Sequence, residues 1–263
     1  MRALIFDCDG VLADTERDGH RLAFNQTFEE AGIGVHWSVE EYADKLRIGG
    51  GKERMASLLT DEFVRDHDLP TDPEGQRALL AEWHRRKTAI YKDLVRAGQL
   101  PGRPGIARIV TEALDAGWTL AVASTSAEES VRAVLEHVVG RRDAARFAVF
   151  AGDIVPAKKP DPAIYEMAVA RLEVAPDEVI VIEDSRNGLL AAVGANLRCV
   201  VTVNGYTATE DMSEAVLVVT SLGDPGEPAQ VLANRGAAHP GDLVTLADLE
   251  ACLSEPLPQK EAV

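Results

Sequence analysis

Between Gly105 and Val219 the chain alternates short apolar runs with amphipathic helical patterns, and this alternation constrains its fold more than any other feature. Thr119–Ala123, Phe147–Phe150, Val179–Ile182, Cys199–Val203 and Val216–Val219 read as strands. Gly105–Ala116, Ala127–Val139, Asp161–Leu172 and Asn187–Ala195 read as the helices between them, with Asp161 as N-cap and Pro162 at the first helical position of its helix. Strands buried on both faces lack the polar alternation of half-exposed ones, so continuous apolar runs separated by helices predict a parallel sheet covered on both sides. The expected fold class is α/β, a Rossmann-like doubly wound parallel sheet.

A further strand of the same character, Leu4-Ile5-Phe6, stands at the start of the chain. The segment that separates it from the others has no strand signal. It reads as helices over Asp18–Ala31, over Ser38–Leu46 with Ser38 and Glu41 as a capping box, through Arg54, Met55, Leu58 and Leu59, and over Glu74–Val95. The pattern predicts a discontinuous core, 1–14 and 97–263, interrupted by an all-helical cap, 15–96, with hinges at Ala13–Glu16 and Ala97–Pro101. Beyond Gly223 the chain is rich in Gly, Pro and Glu; one helix, Asp242–Leu253, and a loose tail after Pro256 are expected.

With 27 basic and 43 acidic side chains the net charge is −16, which argues against nucleic-acid or anionic-membrane partners, since those need a concentrated basic face. Any anionic ligand must be held by locally placed cations. Cys8, Cys199 and Cys252 form neither a disulfide framework nor a zinc motif. No apolar stretch is long enough to span a bilayer, and a strand starting almost at Met1 leaves no room for a signal peptide; a cytoplasmic monomer is expected. Without export, the sequon Asn25-Gln26-Thr27 carries no meaning.

The chemistry-bearing residues lie where these strands end. Asp7 and Asp9 follow the first strand, and Gly10 turns the chain behind them; Glu183 and Asp184 follow Val179–Ile182. An N-cap explains one acid after a strand, but not two adjacent acids matching a second pair. Buried carboxylates need partners, open α/β sheets bind ligands at the carboxyl ends of their strands, and an oxygen-rich site suits Mg²⁺. Ser124-Thr125-Ser126 places hydroxyls at a third strand end, where Ser126 reads as a helix N-cap. In Lys158-Lys159-Pro160, Lys159 is the candidate site cation and Lys158 is assigned to solvent. Cys8 reads as small packing.

Asp7-x-Asp9-Gly10-Val11-x-x-Asp14, Ser124, Lys159-Pro160 and Glu183-Asp184 resemble, in order, the four motifs of the haloacid dehalogenase superfamily of phosphotransferases. The resemblance implies Asp7 as nucleophile and metal ligand and Asp9 as general acid and base, with the Asp9 backbone carbonyl also on the metal. It implies Ser124 on the phosphoryl oxygens, Lys159 as a charge-offsetting ammonium, and Glu183 and Asp184 as the remaining metal carboxylates. Asp14-Thr15-Glu16, His20-Arg21, Tyr42, Leu46–Met55, Phe150–Asp153, Lys159–Tyr165 and Gly205-Tyr206-Thr207 are similar to the CbbY family, over most of the chain to about residue 225. That family includes Mg²⁺-dependent phosphatases of xylulose-1,5-bisphosphate associated with the Calvin cycle, which is the implied function. The core motifs leave open a β-phosphoglucomutase-like mutase or a phosphoglycolate phosphatase.

On this resemblance Glu16, His20, Tyr42, Arg47, Lys52, Arg54 and Thr125 are the candidate substrate-binding residues. His20 reads equally as a linker hydrogen-bonder near Asp9 or as a cap-surface residue. Gly49-Gly50-Gly51-Lys52 fails the P-loop pattern, having Leu46 for the first glycine and Glu53 for Ser/Thr. A helix N-terminus flanked by Arg47, Lys52 and Arg54 nevertheless offers a grip for a second phosphate.

Overall fold

A computed structural model describes residues 1–256, so the tail expected after Pro256 lies outside the described residues. The chain divides into two compact units, Met1–Asp14 with the chain from Pro101 onward, and Thr15–Leu100.

The first unit is built on a seven-stranded sheet, β1 (Ala3–Phe6), β2 (Thr119–Ser124), β3 (Phe147–Ala151), β4 (Val179–Glu183), β5 (Arg198–Thr202), β6 (Leu217–Val219) and β7 (Val231–Asn234). Their order is β3-β2-β1-β4-β5-β6-β7, parallel except for β7. β1 is central: Leu4 pairs with Leu120 of β2 on one side and Ile180 of β4 on the other. All four β1 residues are fully buried, and each large apolar side chain so buried contributes about 1.5–3 kcal/mol. Burial on that scale lets the strand carry carboxylates at its tip, whose desolvation costs several kcal/mol each.

The helices of this unit are α6 (Ile106–Asp115), α7 (Glu128–Ala144), α8 (Ala163–Leu172), α9 (Arg186–Gly194) and α10 (Leu246–Leu253). Several differ from the sequence expectation. α7 runs past Val139 and kinks at Gly140, whose φ is +80°. α8 starts at Ala163: Pro162 stands at the cap, and the Asp161 carboxylate accepts from the Ala163 N–H at 2.9 Å. α10 starts four residues later than expected because Thr245 and Asp248 form a capping box. β7 was not expected; it is short, antiparallel and half out of the core, with Val231 42% and Leu232 52% exposed, so it lacks the buried-strand signature.

The second unit begins with a π-helical turn, Glu16–His20, and continues as α1 (Arg21–Glu30), α2 (Val39–Leu46), α3 (Gly51–Ala56), α4 (Asp61–Asp66) and α5 (Pro73–Arg96). Ser38 and Glu41 form the expected capping box on α2. The helix expected through Arg54, Met55, Leu58 and Leu59 ends at Ala56; Leu58 and Leu59 lie in the turn before α4, which Thr60 caps by accepting from the Phe63 N–H. Phe24, Phe28, Trp37, Tyr42 and Trp83 make an aromatic core, with Phe28 edge-on to Trp37 at 4.8 Å. Asn25 of the sequon is buried; its amide exchanges two hydrogen bonds with the Trp37 backbone, at 2.8 and 2.9 Å.

Candidate active site

In the first unit the carboxyl ends of β1, β2 and β4 bring together residues far apart in the chain. The Asp7 N–H joins the ladder by donating to Ile182 O at 2.9 Å, so its side chain emerges beside that of Asp184. Asp7, Glu183 and Asp184 are all buried and present oxygens within 4.8 Å of one another. Gly10, at φ +79°, is required here: a Cβ would lie 2.1 Å from Asp184 Oδ2. Gly188 of α9 makes the same allowance for Glu183, whose carboxyl carbon would be 1.9 Å from an added Cβ.

Lys159, on the loop after β3, is buried between two of these acids. Its Nζ donates to Asp7 Oδ1 at 2.6 Å, Glu183 Oε1 at 2.7 Å and Ala123 O at 2.9 Å. Burial acts to lower the ammonium, but the charges of Asp7 and Glu183 outweigh it and raise Lys159 above its ordinary value. Burial pushes the Asp7 carboxyl up from 3.8 to about 8; Lys159 opposes this, while Glu183 and Asp9 add to it. Two carboxylates, Asp7 and Glu183, share the Lys159 ammonium while Asp184 lies beside them, so the three acids when ionised carry more negative charge than that ammonium offsets. Hard oxygen donors with that surplus fit a divalent cation such as Mg²⁺.

Two residues that sequence reasoning did not single out complete the cluster. Tyr165 of α8 donates its phenol to Glu183 Oε1 at 2.5 Å, and burial keeps that phenol protonated. Asn204, after β5, donates Nδ2 to Asp184 Oδ2 at 2.7 Å. Both appeared in the sequence only within or beside family-like stretches, with nothing local to mark them.

The Asp9 carboxylate is not one of the three clustered carboxylates, Asp7, Glu183 and Asp184. Its Oδ2 accepts a hydrogen bond from Ser126 Oγ. Ser126 is therefore not the N-cap expected: α7 is capped at Ala127, without a side-chain bond. Ser124 is buried and its Oγ accepts from the Ser126 N–H at 3.1 Å, while Thr125 is half-buried in the same turn. Lys158, assigned to solvent, instead donates to Asp153 Oδ1 at 2.6 Å and Gly152 O at 3.2 Å, pinning the loop that carries Lys159.

The second unit has its own polar cluster. Glu16, buried in the π-helical turn, accepts from Tyr42 Oη at 2.5 Å. Arg54 Nη1 lies 3.4 Å from Glu16 Oε2 and 3.0 Å from Tyr42 Oη, and its Nε donates to Ile48 O at 3.0 Å. His20 is 2% exposed, which excludes the surface reading; it stacks on Tyr91 with ring centroids 4.1 Å apart, and its Nδ1 is 2.8 Å from Lys87 Nζ. Arg47 is an exposed side chain 3.8 Å from Asp44, and Lys52 is half-buried. The anion-binding helix N-terminus is not realised: α3 has six residues, and the Glu53 carboxylate already folds back over Gly50.

A model of the haloacid dehalogenase-like hydrolases matches residues 1–196. A CBBY-like protein of Arabidopsis thaliana is 46% identical over 86% of this chain and 70% of its own length. Protein CbbY of Cereibacter sphaeroides is 40% identical over 86% of this chain and 94% of its own. The chain belongs to the haloacid dehalogenase-like hydrolases, in the CbbY group. It is an enzyme, a haloacid dehalogenase-type phosphatase. A mutant CbbY from Rhodobacter sphaeroides, solved in complex with xylulose-(1,5)bisphosphate, superposes on this hydrolase with a TM-score of 0.74 at 40% identity, over 84% of this chain and 94% of that one. Among the described residues no helix is long and apolar enough to cross a membrane.

Proposed function

We propose that this enzyme is a Mg²⁺-dependent sugar-bisphosphate phosphatase, with xylulose-1,5-bisphosphate as its substrate and an aspartyl phosphate on Asp7 as its intermediate. The observation that carries the reading is Lys159 bridging Asp7 and Glu183 beside Asp184. The relative with the sugar bisphosphate bound supports the substrate class.

With Oδ1 held by Lys159, the Asp7 carboxylate keeps one orientation for in-line attack on phosphorus. Asp9 protonates the leaving alkoxide and then takes the proton of the water that hydrolyses the aspartyl phosphate. Ser124, its oxygen already accepting from Ser126, directs its hydroxyl proton to a phosphoryl oxygen. Asp7, Asp184 and the Asp9 carbonyl would hold the cation, with Glu183 beside them. Bound there, Mg²⁺ would offset charge on the transferring phosphoryl oxygens. The helical unit is the cap in this reading, with Arg47 and Lys52 proposed for the second phosphate; Glu16, His20 and Tyr42, expected on the substrate, are buried among that unit's own side chains. The enzyme so proposed is a cytoplasmic monomer that disposes of an unwanted product of Calvin-cycle chemistry.

The deciding experiment is phosphate release from xylulose-1,5-bisphosphate, glucose 6-phosphate and phosphoglycolate, with and without Mg²⁺. Preference for the bisphosphate is expected; interconversion of glucose phosphates without net release would make the enzyme a mutase. Losing one charge-assisted phosphate contact costs about 1.5–3 kcal/mol, on the order of tenfold to a hundredfold in kcat/KM. Arg47→Ala and Lys52→Ala should show that loss on the bisphosphate and little on the monophosphates; equal losses on both would assign the two residues to general steering.

Mg²⁺ should also raise the melting temperature, more so as pH rises. The sign follows from Asp7. Its carboxyl is raised to about 8 in the folded, cation-free protein against 3.8 ordinarily, so across that window the folded state holds a proton the unfolded chain has released, and stability falls with rising pH. The cation replaces that proton. Its stabilising effect, about 2.7 kcal/mol at a hundredfold excess over Kd, should therefore grow towards the upper end of the window. Thermal melts at stepped pH with and without Mg²⁺ test this, and a pH-independent shift would contradict it.

A further inference from the structure

The catalytic loop after β1 is clamped by a residue that neither the motifs nor the proposed chemistry uses. Arg103 is half-buried just after the chain re-enters the first unit at Pro101. Its Nη1 donates to Gly10 O at 2.8 Å, and its Nη2 donates to Val203 O at 2.8 Å and Thr220 O at 2.5 Å. These carbonyls belong to three loops, at the carboxyl ends of β1, β5 and β6. The Arg103 N–H also donates to Leu12 O at 2.9 Å, beside the bridge between Ala13 and Gly102.

Gly10 is the residue next to Asp9 and the most conformationally free position of that loop. Its N–H is bound to Ala13 O at 3.0 Å and its carbonyl to Arg103, so both peptide planes around it are held. Val203 and Thr220, at the ends of buried strands, supply the fixed frame. A planar guanidinium can bond three diverging carbonyls at once; an ammonium on a flexible stem cannot hold the same geometry. Burial pushes the guanidinium down from its ordinary value and the charges of Asp184 and Asp14 offset part of that, so the site accommodates a cation without a carboxylate in contact.

We propose that Arg103 is a positioning residue for catalysis: by fixing the Gly10 carbonyl to the β5 and β6 ends, it sets where the Asp9 carboxyl points. This rests on the reading of Asp9 as the proton carrier. A residue that only stabilised the fold would affect every substrate alike, whereas one that aims a general acid matters in proportion to how much the leaving group needs a proton. The ester alkoxide of a sugar phosphate needs one; p-nitrophenolate does not.

The test is kcat/KM, which covers steps up to departure of the alcohol, for xylulose-1,5-bisphosphate and p-nitrophenyl phosphate, measured on Arg103→Lys, Arg103→Met and Asp9→Asn. General acid–base catalysis contributes typically 10²–10⁴-fold, and misaiming should forfeit part of it: about tenfold to a hundredfold on the sugar phosphate for both Arg103 variants, with little change on the nitrophenyl ester. Asp9→Asn should show the same selectivity more strongly. If Asp9→Asn slows both substrates equally, the proton-carrier reading fails and this inference with it. If Asp9→Asn is selective but folded Arg103→Lys and Arg103→Met slow both substrates equally, or neither, Arg103 is a structural tie and the proposal is overturned. Failure of both Arg103 variants to fold, judged by circular dichroism and melting, overturns it as well.

Discussion

Asp7→Asn should abolish turnover and leave the fold intact. Asparagine has the same shape, and its carbonyl can still accept from Lys159 Nζ, which sits 2.6 Å from Asp7 Oδ1. It removes a buried carboxyl that the surroundings already resist ionising, since burial raises it to about 8. Without added cation, the variant should therefore melt no lower than the parent. Its amide cannot accept the phosphoryl group, and removing a covalent nucleophile should lower kcat by on the order of 10⁴-fold or more. Single-turnover phosphate release, with circular dichroism to verify folding, measures both halves. A folded Asp7→Asn enzyme with parental activity would rule out the covalent mechanism.

Lys159→Met should damage both stability and rate. The ammonium is buried with Asp7, Glu183 and the Ala123 carbonyl as partners, and lies 4.8 Å from the centroid of the Tyr165 ring. Taking one partner out of a buried ion pair typically costs about 3–5 kcal/mol because the remaining charge is uncompensated. Lys159 is also what lowers Asp7 against the pull of burial, so its loss raises Asp7 further. The sign follows: a higher folded-state value extends the range in which ionising Asp7 costs stability, so the deficit should widen as pH rises. Loss of a preorganised electrostatic group should cost about 10²–10³-fold in kcat. Melting curves across pH, beside kcat at saturating Mg²⁺, provide the check. A variant that melts like the parent at every pH would mean that Lys159 does not compensate these acids.

The two variants also separate the roles of the cluster. Asp7→Asn removes charge from a site that has too much of it; Lys159→Met removes the cation that makes the excess tolerable. Without cation, Asp7→Asn should therefore melt at or above the parent and Lys159→Met below it, although the two side chains touch each other.

The sequence by itself determined the parallel core, the helical character of 15–96 and the positions of the acids at the tips of β1 and β4. Those features rest on local signals: continuous apolar runs, helical periodicity, caps such as Ser38 with Glu41, and the abrupt change from Leu4-Ile5-Phe6 to Asp7. β7 escaped because a half-exposed edge strand carries almost no such signal, and the start of α10 shifted because a Thr245–Asp248 box stood inside an apolar run. Only the tertiary structure decided how side chains pair. Ser126 meets Asp9 across 117 residues, Arg103 meets Gly10 across 93, Asn204 meets Asp184 across 20, and Arg54 is drawn to Glu16 and Tyr42. Periodicity specifies which face of an element is buried. It does not specify which polar group from another element arrives there, because that depends on strand order and loop path, and the free energy of each pairing exists only once those are in place.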